Sequence, residues 1–255
     1  RSPAHAGCGL GGWKQFLWKK GCHPAFVTEK AAVHFSKQET LLVGEMGDLT
    51  LRLDTETGAL QVDNVSGVLL QDLFFTPFRA PTDNDAHSPL VLGKQNWFTK
   101  QYDHPKRTCL EVRQGNGAEE PSLVYTTAYQ TEKDSFYVTI GLWQAGQNRI
   151  FIDCNVQSPA EMLSPGRIGM TAILPVRFTA MNWYGKGPLE TYPDRQCGGR
   201  MGAYSEDVRT QPFYLRPQEY GLHMESRCMR LTDPDRADFV RFEAACPMAM
   251  SAVPY

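Results

Sequence analysis

A chain of 255 residues is long enough for one large domain or two small ones. Hydrophobic residues at 42% and charged residues at 21% are globular proportions and exclude a disordered chain. The formal charge is −2, from 26 basic and 28 acidic side chains spread without a basic block. That excludes a nucleic-acid footprint, and no stretch reaches the roughly 18 apolar residues of a membrane-spanning helix.

The first residues, "RSPAHAGCGLGGW", carry no start methionine and no apolar signal segment. The last, "CPMAMSAVPY", carry no cap, so both ends read as cuts in a longer polypeptide. Residues 1–30 differ from the rest. "GGWKQFLWKKGCHPA" is an aromatic-rich strand end, then Lys19-Lys20, then an exit at Pro24. It is expected to be the last strand of a preceding module plus a linker, leaving 31–255 as the main domain.

From there, period-two alternation dominates. "DLTLRLD" sets Leu49, Leu51 and Leu53 against polar partners, and "ALQVDN" follows after "TETG", with Gly58 as the flexible turn position. The stretch "PLVLGKQNWFTKQYD", residues 89–103, is the best helical candidate, weakened by Gly93. "SLVYTTAYQ", "SFYVTIGLW", "RIFIDCNVQ", "AILPVRF" and "DFVRFEAAC" read as further strands, separated by turn clusters such as "RQGNGAEEP" and "QAGQN". Many short strands with Gly/Pro turns predict an all-β fold, an antiparallel sandwich or barrel.

The seven cysteines (Cys8, Cys22, Cys109, Cys154, Cys197, Cys228 and Cys246) are odd in number and form no CxxC. Free thiols of a reducing cytosol fit better than a disulfide framework or a zinc site. The single sequon at Asn64 is near chance and gives no argument for secretion.

Three stretches concentrate polar chemistry. "FRAPTDNDAH" places Arg79 between Pro77 and Pro81 and follows it with Asp83, Asn84, Asp85 and His87. It is either an Asx-turn loop tied to Arg79, with Asp83 or Asp85 as the expected ion-pair partner, or a ligand-facing loop. "NWYGKGPLETYPDR" sets Trp183, Tyr184 and Tyr192 beside Glu190, Asp194 and Arg195. Aromatic faces with carboxylate neighbours suit a sugar, and they equally suit a strand end packed under a loop. Its "GKGPLE" misses the dinucleotide fingerprint: Glu190 replaces the third glycine and Pro188 removes an N–H. "YLRPQEYGLHMESR" groups Glu219 and His223, either an acid–base pair on a sugar hydroxyl or, the commoner role for a lone histidine, a structural hydrogen-bonder at His223. Strict alternation would put His223 and Glu225 on one face. No carboxylate pair at catalytic spacing can be picked out.

Together, "FRAPTDND", "NWYGKGPLETYPDR" and "RPQEYG", in this order, resemble the C-terminal domain of the LacZ-type β-galactosidases of glycoside hydrolase family 2, the small chain of two-subunit relatives. "GGWKQFLWKKG" is similar to the end of the preceding immunoglobulin-like domain. The resemblance implies an antiparallel β-supersandwich, galactose mutarotase-like, that packs against a TIM barrel. The barrel would hold the acid/base and nucleophile glutamates of a retaining mechanism, outside this chain, leaving the chain alone inactive. It implies a cytoplasmic, homo-oligomeric enzyme acting on terminal β-D-galactosides. Magnesium and sodium are implied for the full enzyme and no metal or other cofactor for this chain. The loop after the DND motif, Ala86 to about Gln95, would lie near the active-site mouth, although the family commonly has Ile-Gly where this chain has Ala86-His87. The family's later "DDSW"-type segment would fall beyond Tyr255, leaving the sandwich incomplete at its C-terminus. The residues expected to shape or support the sugar site are Arg79, Asp83, Asn84, Asp85, His87, Trp183, Glu190, Asp194, Arg195, Glu219 and His223. The alternative is a free-standing mutarotase-like or sugar-binding protein using Glu219 and His223.

Overall fold

The computed structural model describes residues 30–31, 33–82, 101–115, 120–159, 165–211, 214–215 and 218–254. In chain order the strands are β1 (Lys30–Ala31), β2 (Phe35–Gln38), β3 (Leu41–Met46), β4 (Leu49–Asp54), β5 (Leu60–Asn64), β6 (Gly67–Leu70) and β7 (Asp72–Thr76). Then come β8 (Lys106–Gln114), β9 (Leu123–Gln130), β10 (Ser135–Ala145), β11 (Ile150–Gln157) and β12 (Gly169–Ile173). The last are β13 (Ala180–Gly187), β14 (Arg200–Asp207), β15 (His223–Thr232) and β16 (Phe239–Met250), with one short 3-10 turn at Val208–Thr210. Among the described residues the fold is all-β and every strand pair is antiparallel. No described helix is long and apolar enough to cross a membrane.

The alternation seen in the sequence is what builds the sheets. β2 to β6 form a five-stranded meander in chain order. Leu49, Leu51 and Leu53 are buried while Thr50 and Arg52 face outward. The register pairs Leu51 with Val62 and Leu53 with Leu60 and Leu42, so one face is a leucine and valine surface. A one-residue slip would move every one of these side chains into water, which fixes the register. The turn at 55–58 closes on Asp54: its carboxylate accepts from the N–H groups of Glu56 and Thr57 at 2.8 Å each. Gly58 takes φ +73, a left-handed conformation that an L side chain rarely adopts.

A second sheet runs β8-β9-β10-β11, with the short β1 pairing the end of β10 at Gln144 and Ala145. A ribbon of β7 and β12 and a four-stranded sheet, β14-β13-β15-β16, complete the fold. One core cluster spans residues of all four. Phe75, Phe136, Tyr102 and Tyr129 interlock in it, with ring centroids 5.2–5.6 Å apart. Their polar ends are satisfied: the Tyr102 hydroxyl donates to Asp134 at 2.7 Å, and Tyr129 accepts from the Phe75 N–H at 3.1 Å. Arg107 ties the second sheet to the ribbon through Asp72 at 2.7 Å.

Two expectations change. "AILPVRF" is strand only to Ile173, because Pro175 cannot donate to a ladder and the chain turns at Val176 and Arg177. Of the helical candidate at 89–103, residues 101–103 form a turn and the rest lies outside the described residues.

Leu51 is fully buried at the centre of the leucine face. Leu51→Ala should lower unfolding free energy by about 2–5 kcal/mol in urea titrations, and Thr50→Ala by less than about 1 kcal/mol. Equal costs would contradict the orientation of β4.

Candidate functional site

The three polar stretches converge on residues 218–222, the segment that enters β15. Glu190 follows β13, and its side chain is only 11% exposed. One carboxylate oxygen accepts from Arg195 Nη2 at 2.7 Å and from the Tyr214 hydroxyl; the other accepts from the Gly221 N–H at 2.8 Å. Arg195 also donates to the Tyr214 hydroxyl at 3.2 Å, which closes the network. The local sequence explains how Arg195 gets there. Pro193 and Asp194 form a tight turn, and Tyr192 and Arg195 exchange backbone bonds across it at 3.3 and 2.9 Å. The turn brings Arg195 back to Glu190. Beside it, the Thr191 N–H donates to the Leu222 carbonyl at 2.7 Å, and the Thr191 hydroxyl accepts from the Met224 N–H at 2.8 Å.

Glu219 faces the other way and is also 11% exposed. One oxygen pairs with Arg167 Nη2, and the other accepts from the Ala80 N–H at 3.2 Å. The Glu219 N–H donates to the Pro81 carbonyl at 3.3 Å. Arg79 Nη1 bonds the neighbouring Ala80 carbonyl at 3.0 Å. The "FRAP" stretch is thus held by the "RPQEYG" stretch through main chain and side chain together. A charge this buried is costly to leave alone, so losing either Arg167 or Glu219 would strand its partner.

His223 is 0% exposed and lies flat on Trp183, with ring centroids 3.9 Å apart and planes 28° apart. Neither imidazole nitrogen has a partner in hydrogen-bonding geometry. Trp183 is itself buried, and its indole N–H donates to the Lys186 carbonyl at 3.1 Å. Burial pushes the His223 pKa down to about 4, opposed in part by the Lys186 carbonyl and the Glu190 charge. The expectation that His223 and Glu225 share a face is corrected. Glu225 sits at φ 56, and the β15–β16 register shifts between His223 and Ser226, so His223 points inward and Glu225 outward. Ser226 fills the bulge, donating to the His223 carbonyl at 2.9 Å. Gly185 is required beneath it, because a Cβ there would lie 2.5 Å from the Ser226 hydroxyl oxygen and 2.8 Å from its Cα.

Chemically, this arrangement fixes backbone more than it presents reactive groups. Both oxygens of Glu190 and of Glu219 are occupied, and His223 has no solvent access. Asp194 is exposed in its turn. Asp83, Asn84, Asp85 and His87, and with them the expected pairing of Arg79 with Asp83 or Asp85, lie outside the described residues. Among the described residues no group of three or more His, Cys, Asp or Glu side chains is placed to hold a metal ion. The described cysteines, Cys109, Cys154, Cys197, Cys228 and Cys246, are free thiols. Sequence reasoning missed Arg167, Tyr214 and the Gly221 N–H. Arg167 and Tyr214 lie in irregular segments with no periodicity, and a backbone donor has no sequence signal.

An antiparallel all-β fold whose motifs meet at a carboxylate-held junction defines the class. The family described as Beta galactosidase small chain matches residues 45–255, and the chain belongs to it. Named relatives agree. The chain is 26% identical over 240 residues to the β-galactosidase of Priestia megaterium, covering 92% of this chain and 22% of that protein. It is 26% identical over 219 residues to that of Kluyveromyces lactis, covering 82% and 21%. With that of Vibrio cholerae it shares 26% over 190 residues, covering 71% and 19%. The chain therefore spans about a fifth of the length of the curated relatives it matches.

Two outcomes test this geometry. Glu190→Gln keeps the shape and removes the charge, and should cost about 1–3 kcal/mol of unfolding free energy, while Asp194→Asn should cost under about 0.5 kcal/mol. His223 resists protonation when folded and accepts it near the ordinary 6.5 when unfolded. Its contribution to stability is therefore complete above pH 6.5 and is lost as pH falls towards 4, at about 1.4 kcal/mol per unit. Unfolding titrations across that range should show a shallower acid loss in His223→Phe, which keeps the ring stack. Identical slopes would contradict a neutral buried imidazole.

Proposed function

We propose that this chain is the C-terminal small-chain domain of a β-galactosidase that hydrolyses terminal β-D-galactosides. The observation that carries this reading is the convergence of all three family stretches on residues 218–222 within a matching family domain. The catalytic acid/base and nucleophile of the retaining mechanism lie outside this chain, on a TIM barrel of the same enzyme. The chain's role is structural at the sugar site. Glu219 and Arg167 fix Ala80 and Pro81, and this sets the direction in which the chain leaves Thr82 towards the Asp83-Asn84-Asp85 motif. Glu190 and Arg195 fix the other side of the same junction.

The expected immunoglobulin-like end and linker at 1–30 fall, Lys30 apart, outside the described residues, and the strands described from Phe35 onward belong to the supersandwich. The enzyme is a cytoplasmic homo-oligomer. Magnesium and sodium serve it through ligands outside the described residues of this chain. Burial of His223 and the full engagement of Glu219 weigh against a free-standing mutarotase, which needs an acid and a base open to one sugar.

The chain alone should not hydrolyse a chromogenic β-galactoside. Mixed with a β-galactosidase fragment lacking its C-terminal domain, it should restore activity, and Glu219→Gln should lower the restored rate by roughly tenfold. Hydrolysis by the chain alone would overturn the placement of the catalytic carboxylates.

A further inference from the structure

The sheet β14-β13-β15-β16 has a second side. On β13 the side chains of Met181 and Trp183 point into the core, while Asn182 and Tyr184 point outward. The pairing register aligns Ser205, Asn182, Arg230 and Arg241 in one row across all four strands. The next row is Ala203, Tyr184, Cys228 and Glu243. All of these residues but Glu243 line an open groove of about 620 Å³.

The charges in this groove do not balance. Arg230 and Arg241 are directly opposed across β15 and β16, and like charges so placed repel. Arg241 has Glu243 at 2.8 Å. Arg230 lies over the Phe239 ring, 4.0 Å from its centroid, and has no carboxylate partner among the described residues. Asp207, on the same face one row away, is taken by Arg209 at 2.9 Å. The face therefore keeps one uncompensated guanidinium. Beside it are two neutral hydrogen-bonding side chains, Asn182 and Ser205, and a Tyr184 ring that is 47% exposed. An aromatic face stacks on the C–H face of a sugar ring, amide and hydroxyl groups bond its hydroxyls, and a free guanidinium takes an oxyanion in a forked pair.

The geometry points to a binding site for an anionic saccharide, a sugar bearing a carboxylate or sulfate, with its charge on Arg230 and its ring on Tyr184. The site uses the outward face only and holds whether or not the chain works within a β-galactosidase. Bound charge would relieve the opposed arginines, so affinity should fall with added salt.

The test is a nuclear magnetic resonance titration of the full chain at constant ionic strength with sialyllactose, lactose, sodium sulfate and an oligoglutamate peptide. Sialyllactose should shift amides of β13 to β16 that border the groove and bind roughly tenfold tighter than lactose or sulfate. Arg230→Gln and Tyr184→Ala should each weaken it by at least about fivefold, with melting temperatures within about 2 °C of the parent. Equal binding of lactose would overturn the role of the charge, and equal binding of sulfate would overturn the role of the sugar. Tighter binding of the peptide would assign the face to an acidic protein instead. No shift with any probe would also overturn the site.

Discussion

Two nearly buried carboxylates, Glu190 and Glu219, hold the segment 218–222, and much of the molecule's arrangement depends on that hold. The segment has little regular structure of its own, so its backbone groups need partners from elsewhere. Glu190 supplies one for Gly221. Glu219 reaches back to Ala80, and its own N–H meets Pro81. Each carboxylate is balanced by one arginine, Arg195 or Arg167. A surface ion pair would contribute little, but these oxygens are shielded and each also accepts a main-chain N–H. The result links three stretches far apart in sequence.

The same segment feeds into the bulge at His223, Glu225 and Ser226. The bulge turns an exposed strand end into a buried one, and it places an imidazole against an indole where no water reaches. A neutral histidine serves there as an aromatic filler, and protonation in acid adds a further cost. A residue type associated with proton transfer thus ends up in packing, and the carboxylates beside it end up as backbone acceptors. The junction orders chain rather than presenting reactive groups.

The fold was largely legible in the sequence. Leu49, Leu51 and Leu53 alternate because one side of β4 meets the core, and the pattern is visible without any structure. Gly58 was legible as a turn for the same local reason. What failed was non-local or irregular. "AILPVRF" looks continuous by alternation, but Pro175 ends the ladder. Alternation through His223 to Glu225 fails because a bulge inserts a residue, which no periodic rule detects. Glu190 and Glu219 were visible as candidates by residue type, yet their partners were not. Arg167 lies 52 positions from Glu219, and Ala80 lies 139 away and takes part through its backbone alone. Tyr184 is visible in the sequence beside Trp183 as an aromatic suited to a sugar, and only the structure separates its exposed ring from the buried indole.

The most direct test of the carboxylate-held junction is amide hydrogen exchange at Ala80 and Gly221, in the parent chain and in Glu190→Ala and Glu219→Ala. The parent should protect both amides well above the level of loop positions. Loss of Glu190 should release Gly221 first, and loss of Glu219 should release Ala80 first. Rapid exchange at both amides in the parent would contradict the account, because the two carboxylates would then be holding nothing.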